Sequence, residues 1–206
     1  MIEEYINRVD AAIAKAMSNE SKLEERHFAL NGMSARENRI FLNELLKTGD
    51  KYLEIGVHKG STFISALYNN DVKAVAIDNF SQFGKVKEEF LFNCANSNLN
   101  DKMTLIEADC FNLTDEQKEL IKDTNVYFYD GDHRHEDQEM ALTYYIDCLT
   151  DPFIFIVDDW NHQPAVTGTQ AGIEKTGLKV QKEWILNSAN TSKNWHNALY
   201  VAVLSR

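Results

Sequence analysis

The chain has few of the residues that mark several common classes of protein. Its three cysteines, Cys94, Cys110 and Cys148, are widely spaced and form no CxxC pair. This pattern predicts neither a disulfide framework nor a zinc site, and it indicates reduced, mostly buried thiols. Only two prolines are present, and no linker, repeat or low-complexity tract divides the 206 residues. A chain of this length and composition fits one domain with a small helical addition.

Positive charge and long apolar runs are also scarce. The sequence has 21 Lys and Arg residues against 32 Asp and Glu residues, and its formal net charge is −11. Nucleic-acid binding depends largely on cationic side chains that neutralise phosphates, so we expect no nucleic-acid partner. No run approaches membrane-spanning length, and the first residues lack the basic and apolar regions of a signal peptide. We therefore expect a cytoplasmic protein that does not contact a membrane.

What the chain does contain is a repeated pattern in which a short apolar run stops on acidic residues. The five runs end at Glu54, Asp78, Asp109, Asp130 and the pair Asp158-Asp159. Runs of this length, separated by helix-length segments, are typical of buried parallel strands. Open parallel sheets bind ligands beyond the carboxyl ends of their strands, so the acids are predicted to converge on one edge. Such an edge suits a ligand with hydroxyls and positive charge better than a polyphosphate.

The alternation of runs and helical segments predicts an α/β fold. We expect a Rossmann-like doubly wound sheet, mostly parallel, with helices on both faces. Helices are predicted over residues 85–96, 135–149 and 165–176, the last closed by Gly177. The final two strands, Val180 to Leu186 and Ala198 to Leu204, are predicted to form a C-terminal antiparallel hairpin.

Two segments have the form of a capping box, in which a hydroxyl and a side chain three residues later satisfy the first amides of a helix. They are Ser34-Ala35-Arg36-Glu37 and Thr114-Asp115-Glu116-Gln117. Each predicts a helix that begins directly after its Ser or Thr.

The N-terminal segment, residues 1–50, is predicted to be helical and to precede the main domain at residues 51–206. Apolar residues from Ile2 to Met17 recur at helical spacing, which predicts an amphipathic helix that must dock on another surface. It could cover the site or form a dimer contact. A homodimer is therefore one expectation.

The first turn runs from the strand at Glu54 through Gly56 to Gly60 and Ser61. Gly56 would let a ligand approach the backbone closely, while Gly60 and Ser61 can open a helix and present amide donors. The turn matches neither GxGxxG nor the ending of a P-loop, which argues against dinucleotides and nucleoside triphosphates.

The ends of the second and third strands supply candidates for contacts with a nucleoside. Asp78 is placed to accept hydrogen bonds from both hydroxyls of a ribose. The carboxylate of Asp109, or the amide of Cys110, could meet an adenine edge. We also count Asp130, at the end of the fourth strand, among the cofactor-binding residues.

The ends of the fourth and fifth strands form the densest polar clusters of the chain. Asp130, Asp158 and Asp159 supply three hard oxygen ligands, a set suited to Mg²⁺ or Mn²⁺. Successive side chains of a strand point to opposite faces. Asp158 and Asp159 can therefore share an ion only if the chain leaves extended geometry between them.

In this order the residues resemble the class I S-adenosylmethionine-dependent methyltransferases. The resemblance is carried by Glu54-x-Gly56-x-x-x-Gly60-Ser61, then Asp78, then Asp109. It implies that Glu54 and the Gly56 turn hold the methionine end of the cofactor, with Asp78 on the ribose and Asp109 near the adenine. A sulfonium cofactor is cationic, so an acidic edge would attract it.

The segment Asp130-Gly131-Asp132-His133, followed by Asp158-Asp159, is similar to the metal-dependent O-methyltransferases, particularly the macrocin O-methyltransferase group that acts on sugar hydroxyls of natural products. This resemblance implies that Asp130, Asp158 and Asp159 bind the metal and that Asp132 or His133 is the general base. The chain departs from the wider pattern at Asp151-Pro152, where a Gly-Gly turn usually precedes the fifth strand.

The leading hypothesis is an S-adenosylmethionine-dependent O-methyltransferase that acts on a small-molecule hydroxyl with the help of a divalent cation. The alternatives are a metal-dependent glycosyltransferase using Asp130-Gly131-Asp132, a non-catalytic cofactor-binding protein, and a methyltransferase that uses only the base. Four aromatic residues are candidates for the apolar walls of the acceptor site, although such residues are more often plain core. They are Phe80, Phe83, Trp160 and Trp195.

Overall fold

The strands of the chain form a single sheet in the computed structural model, which describes residues 1–99, 101–191 and 193–206. Within these residues the strands are β1 (Lys51–Ile55), β2 (Lys73–Ile77), β3 (Met103–Ile106), β4 (Thr124–Tyr129), β5 (Leu149–Val157), β6 (Lys179–Leu186) and β7 (Leu199–Ser205). Their order across the sheet is β3-β2-β1-β4-β5-β7-β6. Strands β1 to β5 are parallel to one another, and β7 runs antiparallel to both β5 and β6. The predicted fold class and its C-terminal hairpin are confirmed.

Helices connect the strands and cover both faces of the sheet. They are α1 (Ile2–Ser18), α2 (Glu25–Phe28), α3 (Arg36–Leu45), α4 (Ser61–Leu67), α5 (Val86–Asn96), α6 (Asp115–Leu120), α7 (His135–Thr143), α8 (Gln163–Thr176) and α9 (Ser188–Thr191), with a 3₁₀ turn at Ile146–Cys148. Among the described residues, none of these helices combines the length and the apolar character needed to cross a membrane.

Both faces of the sheet are buried, which is why its central strands read as continuous apolar runs. In β4, Val126 and Phe128 pack into the core that also holds α1, α3, α4 and α5. The intervening Tyr127 and Tyr129 point into the opposite core, against α7. Alternate side chains of one strand thus fill two separate cores.

Several element boundaries differ from those expected. β3 ends at Ile106, so Asp109 lies in the loop beyond it, and β5 begins at Leu149, where the helix predicted over residues 135–149 was expected to end. The helix expected to continue to Leu149 ends at Thr143, because the 3₁₀ turn intervenes. The αL cap at Gly177 is confirmed.

One of the two predicted capping boxes forms. The Thr114 hydroxyl accepts from the Gln117 amide, and the Gln117 side chain accepts from the Thr114 amide, as predicted. The prediction at Ser34 is wrong, since Ala35 is the residue that precedes α3. Ser34 instead uses its hydroxyl in a tertiary contact with Ser61, described below.

The amphipathic first helix docks on its own chain. α1 packs against α3 and buries Val9, Ala12 and Ala16 in the core. Arg8 forms a buried ion pair with Asp50, directly before β1. These contacts join the N-terminal segment to the sheet. The predicted division of the chain into residues 1–50 and 51–206 stays a prediction, and so does the expected homodimer.

Candidate active site

The carboxyl ends of the parallel strands border a cleft of about 940 Å³. It lies where the strand order reverses between β1 and β4, the usual ligand site of such sheets. Ten of the residues proposed from the sequence to bind cofactor or metal or to act in catalysis line it: Gly56, Ser61, Asp78, Asp109, Cys110, Asp130, Asp132, His133, Asp158 and Asp159. The acidic residues at four of the five predicted run ends therefore meet around one space, as their positions in the sequence predicted, and Glu54 is the exception.

Glu54 lies beneath the cleft and not in its wall. Its carboxylate is fully buried and accepts hydrogen bonds from the hydroxyls of Tyr52 and Thr62, each at 2.5 Å. Burial raises the pKa of Glu54 to about 7. Because Thr62 lines the cleft, Glu54 is connected to it through the threonine hydroxyl.

Gly56 is the point at which the first turn touches the end of β4. Its φ of 82° is left-handed, and a Cβ placed there would lie 1.9 Å from the backbone oxygen of Asp130. The contact between the ends of β1 and β4 therefore requires glycine at position 56. This requirement is separate from the close approach of a ligand that the sequence suggested. Gly60 precedes α4, as predicted, and faces Ile64 and Phe90 instead of the cleft.

The backbone fixes the orientation of Asp78. Its two carboxylate oxygens accept hydrogen bonds from the amide of His58, at 2.9 Å, and from the amide of Phe80, at 2.7 Å. The first of these amides belongs to the turn after β1, so Asp78 ties that turn to the end of β2. Each oxygen keeps a second lone pair for a ligand hydroxyl.

Asp109 and Cys110 lie on the same wall of the cleft, in the loop after β3. The Asp109 carboxylate accepts from the Phe111 amide at 2.9 Å, and the hydroxyl of Tyr145 donates to the Cys110 carbonyl. Burial, aided by the charge of Asp109, raises the pKa of the Cys110 thiol to about 12. The thiol is therefore neutral at physiological pH and is not a nucleophile.

Asp130, His133 and Asp159 form a compact group of potential ligands at the other end of the cleft. One ligand atom from each lies within 4.8 Å of the other two. Asp159 has a φ of 55°, so the chain does leave extended geometry after Asp158. Extended geometry therefore does not force Asp158 and Asp159 to opposite faces, although the compact group itself contains His133 and not Asp158.

Asp158 adds a buried, incompletely satisfied carboxylate to this group. It is 6% exposed, and its Oδ1 atom has no hydrogen-bond partner among the described residues. Burial, reinforced by Asp159, raises the pKa of Asp158 to about 8. Burial and the charges of Asp158 and Asp159 raise the pKa of Asp130 as well. Three crowded carboxylates and an imidazole fit a divalent cation, which would relieve their repulsion.

His133 and Asp159 form the closest charged pair of the site, with Nε2 and Oδ2 2.6 Å apart. The hydrogen bond to Asp159 raises the pKa of His133. Burial opposes ionisation of Asp159, but the hydrogen bond and charge of His133 outweigh it and lower the pKa of that carboxyl.

Asp132 has a different set of partners. Its carboxylate accepts from the Arg134 amide at 3.0 Å and lies 3.3 Å from the Arg134 side chain. Asp130 and Asp132 thus turn their carboxylates to different partners, which weakens the case for a DxD metal site.

Some residues of the cleft were not expected from the sequence. His196 and Asn197 reach it from the connection between β6 and β7, and Met33 reaches it from the N-terminal segment. Asn197 also contributes to the hydrogen bonding of Asp159. For His196 and Asn197 the sequence signal was a polar stretch before the last strand, which gave no indication of where it would fold, and for Met33 there was none.

The predicted aromatic walls are mostly wrong. Of the four candidates only Phe83 lines the cleft. Trp160 stacks on Tyr200 with ring centroids 4.2 Å apart, and Trp195 is buried in the core. Phe80 packs against Phe90. Burial of these large rings outside the cleft stabilises the fold more than a place in the wall of a wet cleft would.

A model of the methyltransferase domain family matches residues 53–160, just over half of the chain. The chain belongs to this family. The sequence-based prediction of a methyltransferase is thereby confirmed at the family level. The search of curated proteins found no match.

Solved structures share the fold at low sequence identity. An O-methyltransferase from Bacillus cereus in complex with SAH has a TM-score of 0.61 and 14% identity, over 96% of this chain and 90% of that one. Precorrin-6y C5,15-methyltransferase from Geobacter metallireducens has a TM-score of 0.59 and 17% identity, over 84% and 90%. A protein assigned as a SAM-dependent methyltransferase from Streptococcus mutans has a TM-score of 0.62 and 13% identity.

This last comparison covers 83% of the methyltransferase chain described here and 48% of the Streptococcus mutans protein. The chain thus spans about half the length of that neighbour. The other two are named for different acceptors, an oxygen atom and a C5,15 position. The shared fold therefore leaves the acceptor open.

Proposed function

We propose that this methyltransferase uses S-adenosylmethionine to methylate a hydroxyl of a small molecule, a sugar or a natural product, with the assistance of a divalent cation. One observation carries the proposal. The space at Gly56 is closed by the backbone oxygen of Asp130, so the cofactor turn and the carboxylate cluster are direct neighbours. A methyl donor held at the turn would lie next to an acceptor held at the cluster, as in-line transfer requires.

The cofactor would lie along the ends of β1, β2 and β3. Asp78, oriented by two amides, would accept hydrogen bonds from the ribose hydroxyls, and the loop at Asp109 and Cys110 would border the adenine. The amide of Ser61, with Glu54 acting through Thr62, would border the methionine end, whereas the Gly60 amide already donates to the Val57 carbonyl. The acidic wall suits the positive sulfonium.

The cation would be held by Asp130, Asp158 and Asp159. The support is the buried Oδ1 atom of Asp158, which has no hydrogen-bond partner in the described part of the chain, together with the left-handed backbone at Asp159. When bound, a divalent cation would polarise the acceptor oxygen and lower the pKa of its hydroxyl.

His133 is the better candidate for the general base. Its pKa is raised by Asp159 from a value already near neutrality, and Asp159 also fixes the orientation of the ring. With Nε2 held by Asp159, Nδ1 remains to take the proton of the acceptor hydroxyl. The Asp132 carboxylate, by contrast, is already engaged by Arg134.

Titration calorimetry with S-adenosylhomocysteine, with and without Mg²⁺, tests the proposal, and UDP serves as the rival ligand. We expect one S-adenosylhomocysteine per chain and no heat from UDP. Binding of UDP with Mg²⁺, without binding of S-adenosylhomocysteine, would support a glycosyltransferase instead. A chain that binds the cofactor but methylates no member of a panel of sugars and phenols would support the non-catalytic alternative.

A further inference from the structure

The loop between α2 and α3, residues 29–35, reaches the cleft at the start of α4. Met33 lines the cleft and is 52% exposed. The Ser34 and Ser61 hydroxyl oxygens are 3.1 Å apart. A Cβ placed on Gly32 would lie 2.1 Å from the Ser61 hydroxyl oxygen, so this loop and the cofactor turn are in close contact.

A buried arginine holds the loop in this place. Arg39 of α3 is 3% exposed, and its guanidinium donates to the Ser34 hydroxyl at 2.9 Å and to the Ser34 carbonyl at 3.3 Å. The same group donates to the carbonyl of His27 at 2.7 Å and to that of Phe28 at 3.3 Å. The planar fork of arginine thus ties together both ends of one loop, a geometry that lysine cannot reproduce.

These contacts form a continuous path from the N-terminal segment to the cofactor turn. Arg39 contacts Ser34, Ser34 contacts Ser61, and Ser61 is the first residue of α4 and part of the cleft wall. Arg39 itself is absent from the cleft lining. It can therefore affect a ligand only indirectly, and the hydrogen bonds through Ser34 provide one route.

We propose that residues 29–35 are a wall of the methyl-donor site and that Arg39 is the positioning residue that locks this wall against Ser61. The inference rests on the proposed function, since it assumes that S-adenosylmethionine binds at the turn. The sequence suggested that the first amphipathic helix, α1, could cover the site. On this proposal α1 would affect the site only indirectly. It packs against α3, which carries Arg39, while the loop supplies the contact.

Calorimetry of the full chain with S-adenosylhomocysteine tests the path. Ser34→Ala removes the hydroxyl that joins Arg39 to Ser61, and we expect about tenfold weaker binding, whereas Ser34→Thr keeps the hydroxyl and stays within about twofold of wild type. Arg39→Met should weaken binding similarly. The double variant should be no weaker than the worse single variant, because both changes break the same path.

Amide hydrogen exchange of the wild-type chain gives a readout that needs no substitution. Addition of S-adenosylhomocysteine should slow exchange in residues 29–35 and leave unchanged residues 121–124, which lead into the start of β4 at the opposite end of the strand. Suppose that wild type binds this ligand, that Ser34→Ala binds it equally well and that exchange in the loop does not change. The proposal that residues 29–35 form a wall of the site would then be wrong, while the proposed function would stand. If wild type does not bind the ligand at all, the proposed function fails and this inference fails with it.

Discussion

Nε2 of His133 lies 2.6 Å from Oδ2 of Asp159, although the two residues follow different strands of the sheet. The parallel pairing of β4 with β5 brings their carboxyl ends together and makes this contact. A carboxylate that orients an imidazole and raises its pKa is a common preparation for proton transfer. The pair is the clearest candidate for acid-base chemistry in the cleft.

We predict that His133→Gln lowers kcat for methyl transfer by about 10² to 10⁴ and leaves the affinity for S-adenosylhomocysteine within about twofold. The side chain is partly exposed, so its replacement should not unfold the chain. Turnover assays and calorimetry measure the two quantities. Asp132→Asn is the matched comparison, with less than about a tenfold loss expected because Arg134 already engages that carboxylate. A larger loss for Asp132→Asn would transfer the role of base to Asp132.

We predict that the chain binds one Mn²⁺ ion and that Asp158→Asn weakens this binding at least tenfold or so. The substitution replaces one oxygen of a buried carboxylate, whose Oδ1 atom has no hydrogen-bond partner among the described residues, with an amide donor. Quenching of the free Mn²⁺ signal in electron paramagnetic resonance measures the affinity. Asp115→Asn, at the exposed start of α6, controls for the loss of one negative charge. Equal affinity in wild type and Asp158→Asn, or activity that survives EDTA, would contradict the metal assignment.

We predict that the stability of Glu54→Gln relative to wild type, measured as the free energy of unfolding, increases as the pH rises. The pKa of Glu54 is about 7 in the folded chain, against an ordinary value of 4.5. The folded state therefore holds this proton more tightly than the unfolded state does. Its contribution to stability is complete below about pH 4.5 and is lost as the pH rises to about 7.

The size of this effect is roughly 3 kcal/mol, from about 1.4 kcal/mol for each unit of pKa. Urea unfolding at pH 5 and pH 8 measures the difference in free energy of unfolding between the variant and wild type. From pH 5 to pH 8 the free energy of unfolding of the variant should rise relative to that of wild type. Wild type loses stability when Glu54 ionises, whereas glutamine has no proton to lose. Glu88→Gln, on the exposed side of α5, controls for the loss of a carboxylate. A difference that does not change with pH would mean that Glu54 is ionised throughout.

Much of the fold and of the site follows from local features of the sequence. The acids could be placed at one edge because apolar runs set the strands, and parallel connection sends their carboxyl ends the same way. Asp78, Asp130 and Asp159 therefore lie in one cleft as predicted. The hairpin of β6 and β7 followed from strand-like sequences with a short polar connection.

The rest depends on contacts between distant segments. The left-handed backbone at Asp159 decides whether two adjacent carboxylates can face one site, and no residue pattern indicated it. Ser34 had the form of a helix cap, but its hydroxyl is used between Arg39 and Ser61. Asn197 enters the cleft because β7 pairs with β5, so its position is fixed only once the sheet is assembled.

We predict that Asp78→Asn weakens S-adenosylhomocysteine binding by about tenfold or more. Two backbone amides, those of His58 and Phe80, already point at the two carboxylate oxygens. An asparagine must direct its NH₂ group toward one of these amide donors, so it loses a hydrogen bond and an acceptor for the ribose. Calorimetry gives the affinity, and Asp71→Asn, exposed beyond α4, is the charge control.

A cofactor analogue locates the interaction that the variant removes. If Asp78 accepts from the ribose, 2′-deoxy-S-adenosylhomocysteine should bind wild type less tightly than the parent compound and should lose less affinity on Asp78→Asn. The two losses overlap because each removes one end of the same hydrogen bond. Fully additive losses would place the ribose against another group, and the acidic residue at the end of β2 would then serve only to hold the first turn through the His58 amide.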